Sequence, residues 1–413
     1  MGAPLSGSRP AHPGRAALAL FAGVATSAIG YTILIVFAPL AAEDLLGSPR
    51  WAGLPTALAT TGVALGTSLL PGVTTRHGWR RALVLAYWSG SVAALFGAVA
   101  AGLGRFPLMV AGIFAVGGGY SASRLSRYVA ADLYDASRRS AAIGWNVWAA
   151  ALGSVSGPLL LDVTRRGTVA LGLPEASGPF LVTAVAFALA GLILRLLFPA
   201  ALGHPGPDPG TASWPDDDAG RPAGVRLAVV ALVVSQVVMV LIMTMTPIHI
   251  RHGGLGLGPV GVVLASHTFG MFALSPLVGV VSDRIGAVAT IGAGIVLLVA
   301  SGVLAAAVAP GSALMAFALF LLGLGWCASF VAGSALLTES TPLAHRVRVQ
   351  GRVDSAVWGA AAAAGLASGV LLSAVGYVLL CVLASVVALA PLVFVRAGLT
   401  SATSSRPAPG PAA

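Results

Sequence analysis

Gly279-Val280-Val281-Ser282-Asp283-Arg284-Ile285-Gly286 closes one long apolar run, and Ala287 opens the next. A related stretch, Gly72-Val73-Thr74-Thr75-Arg76-His77-Gly78-Trp79-Arg80-Arg81, stands between two apolar runs about two hundred residues earlier. Both read as tight basic turns between long apolar segments. Their recurrence divides the chain into two similar halves.

Working outward from these turns, each apolar run is long enough to cross a bilayer, whose ~30 Å hydrocarbon core takes ~20 residues of helix. Spans are predicted near 16–40, 51–74, 82–103, 107–131, 140–162 and 178–198, and again near 226–248, 259–281, 286–308, 312–337, 353–374 and 376–395. The fold class is therefore an all-α polytopic membrane protein of 12 transmembrane helices in two six-helix halves, 1–199 and 226–396. Between them, 200–225 carries prolines and Asp216, Asp217 and Asp218 and reads as a cytoplasmic linker, and 397–413 reads as a disordered cytoplasmic tail. The run after Arg15 is about twice as long as a signal-peptide core, so it is expected to stay as the first helix.

Composition agrees with this class. Of 413 residues, 57% are hydrophobic and only 9% charged, with a mean hydropathy of +0.93. The net charge of +10 comes from arginines scattered through short loops, which argues against nucleic acid. If both termini are cytoplasmic, only Arg50, Arg105, Arg165, Arg166 and Arg251 lie outside, which satisfies the positive-inside rule. No nucleophile and base pair, phosphate loop or zinc motif marks an enzyme. Cys327 and Cys381 fall in different spans and form no disulfide framework.

Gly279, Asp283, Arg284 and Gly286 resemble the loop signature of the major facilitator superfamily, in which the Asp/Arg pair latches the cytoplasmic side. The first-half copy keeps Arg76 and Gly78 but has Pro71 and Thr75 where the family has Gly and Asp, so its latch lacks the carboxylate. The resemblance implies a transporter with its substrate site near mid-membrane between two halves. Span 5 holds Gly153, Gly157 and Pro158, which resemble the antiporter signature of drug exporters and also fit simple close packing of helices.

Chemistry concentrates in spans 7 and 8. Met239 and Met243 are spaced i, i+4, as are His267 and Met271, so each pair shares a helix face. Counting ~1.5 Å per residue from the outer ends, Met239 lies ~14 Å and His267 ~12 Å deep. Thioethers and an imidazole form a soft, uncharged ligand set suited to Cu(I), whereas hard cations want oxygens. The alternative for each methionine is apolar filler, and for His267 a hydrogen bond within the bundle.

Met-x-x-x-Met on span 7 and His-x-x-x-Met on span 8 resemble the paired motifs of the CcoA-like bacterial copper importers. That resemblance implies that Met239, Met243, His267 and Met271 bind copper as a substrate during uptake, with no resident cofactor. It also implies a bacterial inner membrane as the location, and that related members carry riboflavin. A small-molecule or metal-ion substrate, the lipid bilayer and a monomeric chain complete the expectation. Gln236, one turn before Met239, and Asn146 on span 5 are expected to line the cavity. Arg124 either attracts an anionic substrate or snorkels to the cytoplasm. Asp162, Asp283 and Asp354 fall near predicted span ends, so no proton-coupling carboxylate is expected at mid-span. His267 is the group left to titrate there. An organic substrate stacked on Trp148 or Trp358, or efflux by antiport, are the competing readings.

Overall fold

The computed structural model describes residues 13–46, 54–199, 222–255 and 257–394, all helical apart from short turns. The predicted tail, 397–413, and nearly all of the predicted linker, 200–221, lie outside the described residues. Twelve helices are present among the described residues: α1 (Pro13–Leu46), α2 (54–77), α3 (79–102), α4 (Phe106–Asp132), α5 (Arg139–Ala170), α6 (Gly178–Leu197), α7 (Ala223–His252), α8 (Leu257–Phe272 continued by Ser275–Ile285), α9 (Ala287–Ala307), α10 (Ala313–Ser340), α11 (343–375) and α12 (377–388). Most satisfy the length and apolarity of a membrane crossing; α5, at 32 residues, is long enough but more polar. Large exposed side chains such as Leu69, Val99, Leu196, Leu366 and Val370 suit a lipid surround rather than water.

The quoted turns are single-residue breaks. Gly78 (φ 79°, ψ 163°), Gly286 (φ 91°, ψ 150°) and Gly376 (φ 76°, ψ 171°) adopt a conformation open only to glycine, which reverses the chain from one helix into the next.

The chain forms two compact units. The described residues of 1–208 with 347–358 make the first, and those of 209–346 with 359 onward the second, so α11 belongs to both. Each unit is organised on one heavily buried helix, α4 in the first and α10 in the second. Gly62 of α2 and Gly117 of α4 each meet the other helix's backbone so closely that an added Cβ would overlap it, at Phe114 and Ala59. In the second unit Gly270 of α8 and Gly323 of α10 meet Phe320 and His267 in the same way. Gly90 with Gly119 and Gly294 with Gly325 repeat the arrangement for α3 and α9. With no aqueous driving force between helices, such close backbone approach is what holds them. His267 thus takes the place that Ala59 fills in the first unit.

Two features that bear on the polar groups differ from expectation, a helix start and a bend. α11 begins at Leu343, capped by the extended Pro342 (φ −55°, ψ 143°), ten residues earlier than the apolar run suggests. Asp354 is therefore ~16 Å along a helix rather than at its end. α8 is bent by 41° between Phe272 and Ser275. Pro276 has no N–H for the Phe272 carbonyl, which instead accepts from the Ser275 hydroxyl at 2.7 Å.

Candidate functional site

Three helices of the second unit converge on Trp326 of α10. Its Nε1 donates to Gln236 Oε1 of α7 at 2.8 Å, and its ring lies 6.1 Å from Phe272 of α8, edge-on, and 4.6 Å from Phe330, stacked. Helix rise then sets the levels: from Gln236, Met239 is ~4.5 Å and Met243 ~10.5 Å toward the end of α7. From Phe272, Met271 is ~1.5 Å and His267 ~7.5 Å back toward the start of α8. α7 runs antiparallel to α10 and α8 parallel to it, as the contacts of Gly333 with Leu232 and Gly323 with His267 require. All four candidate ligands therefore fall on the same side of Trp326, within about two helical turns.

His267 is 1% exposed, and its Nδ1 lies 3.1 Å from the Leu319 carbonyl of α10. A carbonyl only accepts, so Nδ1 carries the proton and Nε2 keeps the lone pair. Nε2 is buried with no hydrogen-bond partner. A backbone carbonyl holding one ring nitrogen while the other stays free is the usual arrangement of a metal-binding imidazole. Met239 is buried, and Met243 and Met271 are half-buried. Among the described residues no three His, Cys, Asp or Glu side chains gather to hold a metal, so any ion here relies on thioethers. Gln236 is occupied by Trp326, a tie between α7 and α10 that the expectation of a cavity-lining residue missed. Cys327 and Cys381 are buried and unbridged.

The first unit holds a second polar cluster that differs from expectation in two respects. Asp354, near a predicted span end, is fully buried. Its carboxylate accepts from both terminal nitrogens of Arg127, Nη1 at 3.2 Å to Oδ2 and Nη2 to Oδ1, and from the Tyr128 hydroxyl at 3.2 Å. Such a bidentate, three-donor carboxylate is a strong buried pair. It joins α4 to the first part of α11, where Ser68 also donates to Ser355 at 2.7 Å and Gly351 sits against Pro71. Pro71, the departure in the first loop copy, thus fills a space that Gly351 leaves open.

Arg124 does not snorkel. Its guanidinium lies 4.7 Å from the ring centres of both Tyr120 and Trp358, and Nη2 donates to the Tyr120 hydroxyl at 3.2 Å. Tyr120 in turn stacks on Tyr31 at 3.9 Å and 9°. Of the remaining predicted residues, Asn146 is buried on α5, in the first unit. Gly153 packs directly on Ala28 of α1; Gly157 and Pro158 lie in the same helix, but their side chains are outside the described residues. At the loops, Gly78 and Gly279 are buried, Asp283 is half-buried, and Arg76, Arg284 and Gly286 are exposed.

Twelve helices among the described residues, most of them long and apolar enough to cross a membrane, in two repeated units with polar clusters on the central helices define a multi-pass carrier of small solutes. The sequence model of the Major Facilitator Superfamily matches residues 20–266 and 227–412, and the chain belongs to that superfamily of secondary transporters. It is 34% identical over 365 residues to the uncharacterized MFS-type transporter YdeG of Bacillus subtilis (strain 168), covering 85% of this chain and 84% of the relative. Over 356 residues it is 28% identical to the riboflavin transporter RfnT of Brucella anthropi, covering 84% and 86%. Among solved structures, the human organic anion transporter MFSD10 superposes with a TM-score of 0.76 at 16% identity, over 93% of this chain and 99% of that one. The protein is a transporter, not an enzyme.

Proposed function

We propose that this transporter takes up copper, carried as Cu(I) by Met239, Met243, His267 and Met271 in an alternating-access cycle across a bacterial inner membrane, with both termini cytoplasmic. The observation that carries the reading is His267: a buried imidazole whose Nδ1–H is committed to Leu319 and whose Nε2 has no protein partner. An orphaned buried nitrogen is unfavourable unless a ligand uses it, and the neighbouring side chains are thioethers, which suit a soft monovalent ion. The bend of α8 directly after Met271 gives the ligand pair a place to open and close on the ion.

The test is copper accumulation in cells expressing the protein. His267→Ala and Met243→Ala should each lower uptake by roughly tenfold or more, the loss typical when a metal's supporting groups are removed. Met243→Leu, which keeps the volume and removes the sulfur, should match Met243→Ala. Normal accumulation in His267→Ala at wild-type expression refutes copper.

A second reading, uptake of a small organic molecule, is favoured by the similarity to a relative named as a riboflavin transporter. In that case the methionines are apolar lining, and Met243→Leu leaves transport unchanged while purified protein binds no Cu(I).

A further inference from the structure

We propose that the first unit carries its own binding site for a small planar organic anion, built from Arg124, Trp358 and Ser121. This site does not depend on the copper reading, because its residues lie in a different unit from the methionines and His267.

Four observations converge on it. Arg124 stands ~12 Å inside the end of α4, and no carboxylate lies within ion-pair distance of it among the described residues. The neighbouring cation, Arg127, holds both oxygens of Asp354, so the half-buried Arg124 feels that carboxylate only from beyond contact and has none of its own. A charge at such depth is unfavourable without a partner, and the partner it calls for is an anion.

The hydrogen-bond inventory gives the same answer. Arg124 Nε, Trp358 Nε1 and Ser121 Oγ are each buried without a partner. The first two can only donate, so the missing species is rich in acceptors. Trp358 stacks on the Arg124 guanidinium, so these two orphaned donors are neighbours, and Ser121 lies one helical turn before Arg124 on α4 with its Oγ toward Gly66 of α2. A carboxylate would take up the Arg124 and Trp358 donors together.

The walls are aromatic. Tyr120 and Trp358 both lie against the guanidinium, and Tyr31 stacks on Tyr120. This holds the Arg124 fork rigid. With Tyr120 covered by Arg124 and Tyr31, the π surface beside the anionic group is that of the half-buried Trp358, which suits a flat conjugated body.

Binding is measured by calorimetry on the purified full-length protein in nanodiscs, stripped of copper, with benzoate, 2-naphthoate and indole-3-acetate as probes and 2-naphthamide as the neutral match. Saturable binding of at least one carboxylate is expected, with the amide about tenfold or more weaker, as loss of a charged hydrogen-bonded pair implies. Arg124→Gln should remove carboxylate binding. Trp358→Phe, which keeps an aromatic ring but loses the N–H, should weaken it about three- to tenfold. Met243→Leu should bind like wild type. The proposal is overturned if wild type binds none of the three carboxylates, if the amide binds equally well, or if Arg124→Gln binds unchanged. If Arg124→Gln does not elute as a folded monodisperse species, Arg124→Lys and Trp358→Phe decide, and wild-type affinity in both overturns it. Copper uptake is unaffected by any of these results, so the two proposals fail separately.

Discussion

Replacing Asp354 by Asn tests the buried pair that no apolar-run analysis locates. The carboxylate is fully buried and Arg127 is 2% exposed, so neither charge has water to fall back on. Asn at 354 leaves the guanidinium with neutral acceptors only, and breaking a buried ion pair by removing one partner destabilises by about 3–5 kcal/mol. The amide oxygen still accepts one of the three hydrogen bonds, which returns about 1 kcal/mol. The net expectation is a loss of about 2–4 kcal/mol, the pair's cost less the hydrogen bond retained. Arg127→Gln strands the carboxylate and should lose at least as much. The double variant carries no stranded charge, and its Gln and Asn can hydrogen-bond to each other, so it should lose less than the two singles together, with a coupling of about 3 kcal/mol. Unfolding by titration with sodium dodecyl sulfate, followed by helical circular dichroism, measures all three against wild type. A loss below about 1 kcal/mol in Asp354→Asn, or a double variant equal to the sum of the singles, would refute the account of a desolvated, mutually dependent pair.

Two further outcomes rest on particular contacts. Gly286→Ala places a side chain at φ 91° and ψ 150°, a glycine-only conformation, and should destabilise by about 1–3 kcal/mol in the same titration; an unchanged midpoint means the α8–α9 turn relaxes freely. Trp326→Phe keeps the stack on Phe330 but leaves the buried Gln236 oxygen without its donor, and should lose about 1–3 kcal/mol, largely restored when Gln236→Leu is added.

The helices were legible because each had to be apolar for long enough to cross a membrane, and the turns because glycine is the residue that can hold their backbone. Gly78 and Gly286 are partners in the sequence repeat, and both break the helix at the expected place. The start of α11 was not legible for a related reason. His345, Arg346, Arg348 and Arg352 interrupt the apolar pattern that marks a span, yet they ride on three turns of continuous helix begun at Pro342. Moving that boundary is what turns Asp354 from a loop-end residue into the buried partner of Arg127.

Pairings across the sequence were harder still. Gln236 with Trp326 and Arg124 with Trp358 bring together residues that no local period relates, and each changes the meaning of a residue already singled out. Gln236 becomes a brace, and Arg124 a half-buried cation flanked by rings, with a buried Nε that no protein group accepts from. The repeat itself carries a sequence signal for His267. Aligning Gly62 and Gly78 with Gly270 and Gly286 sets His267 opposite Ala59, at a contact where both units bring a backbone carbonyl against a glycine of their central helix. An alanine is sufficient to build that contact in the first unit. The imidazole in the second is therefore surplus to packing, and its unpartnered Nε2 is the part of it that packing does not explain.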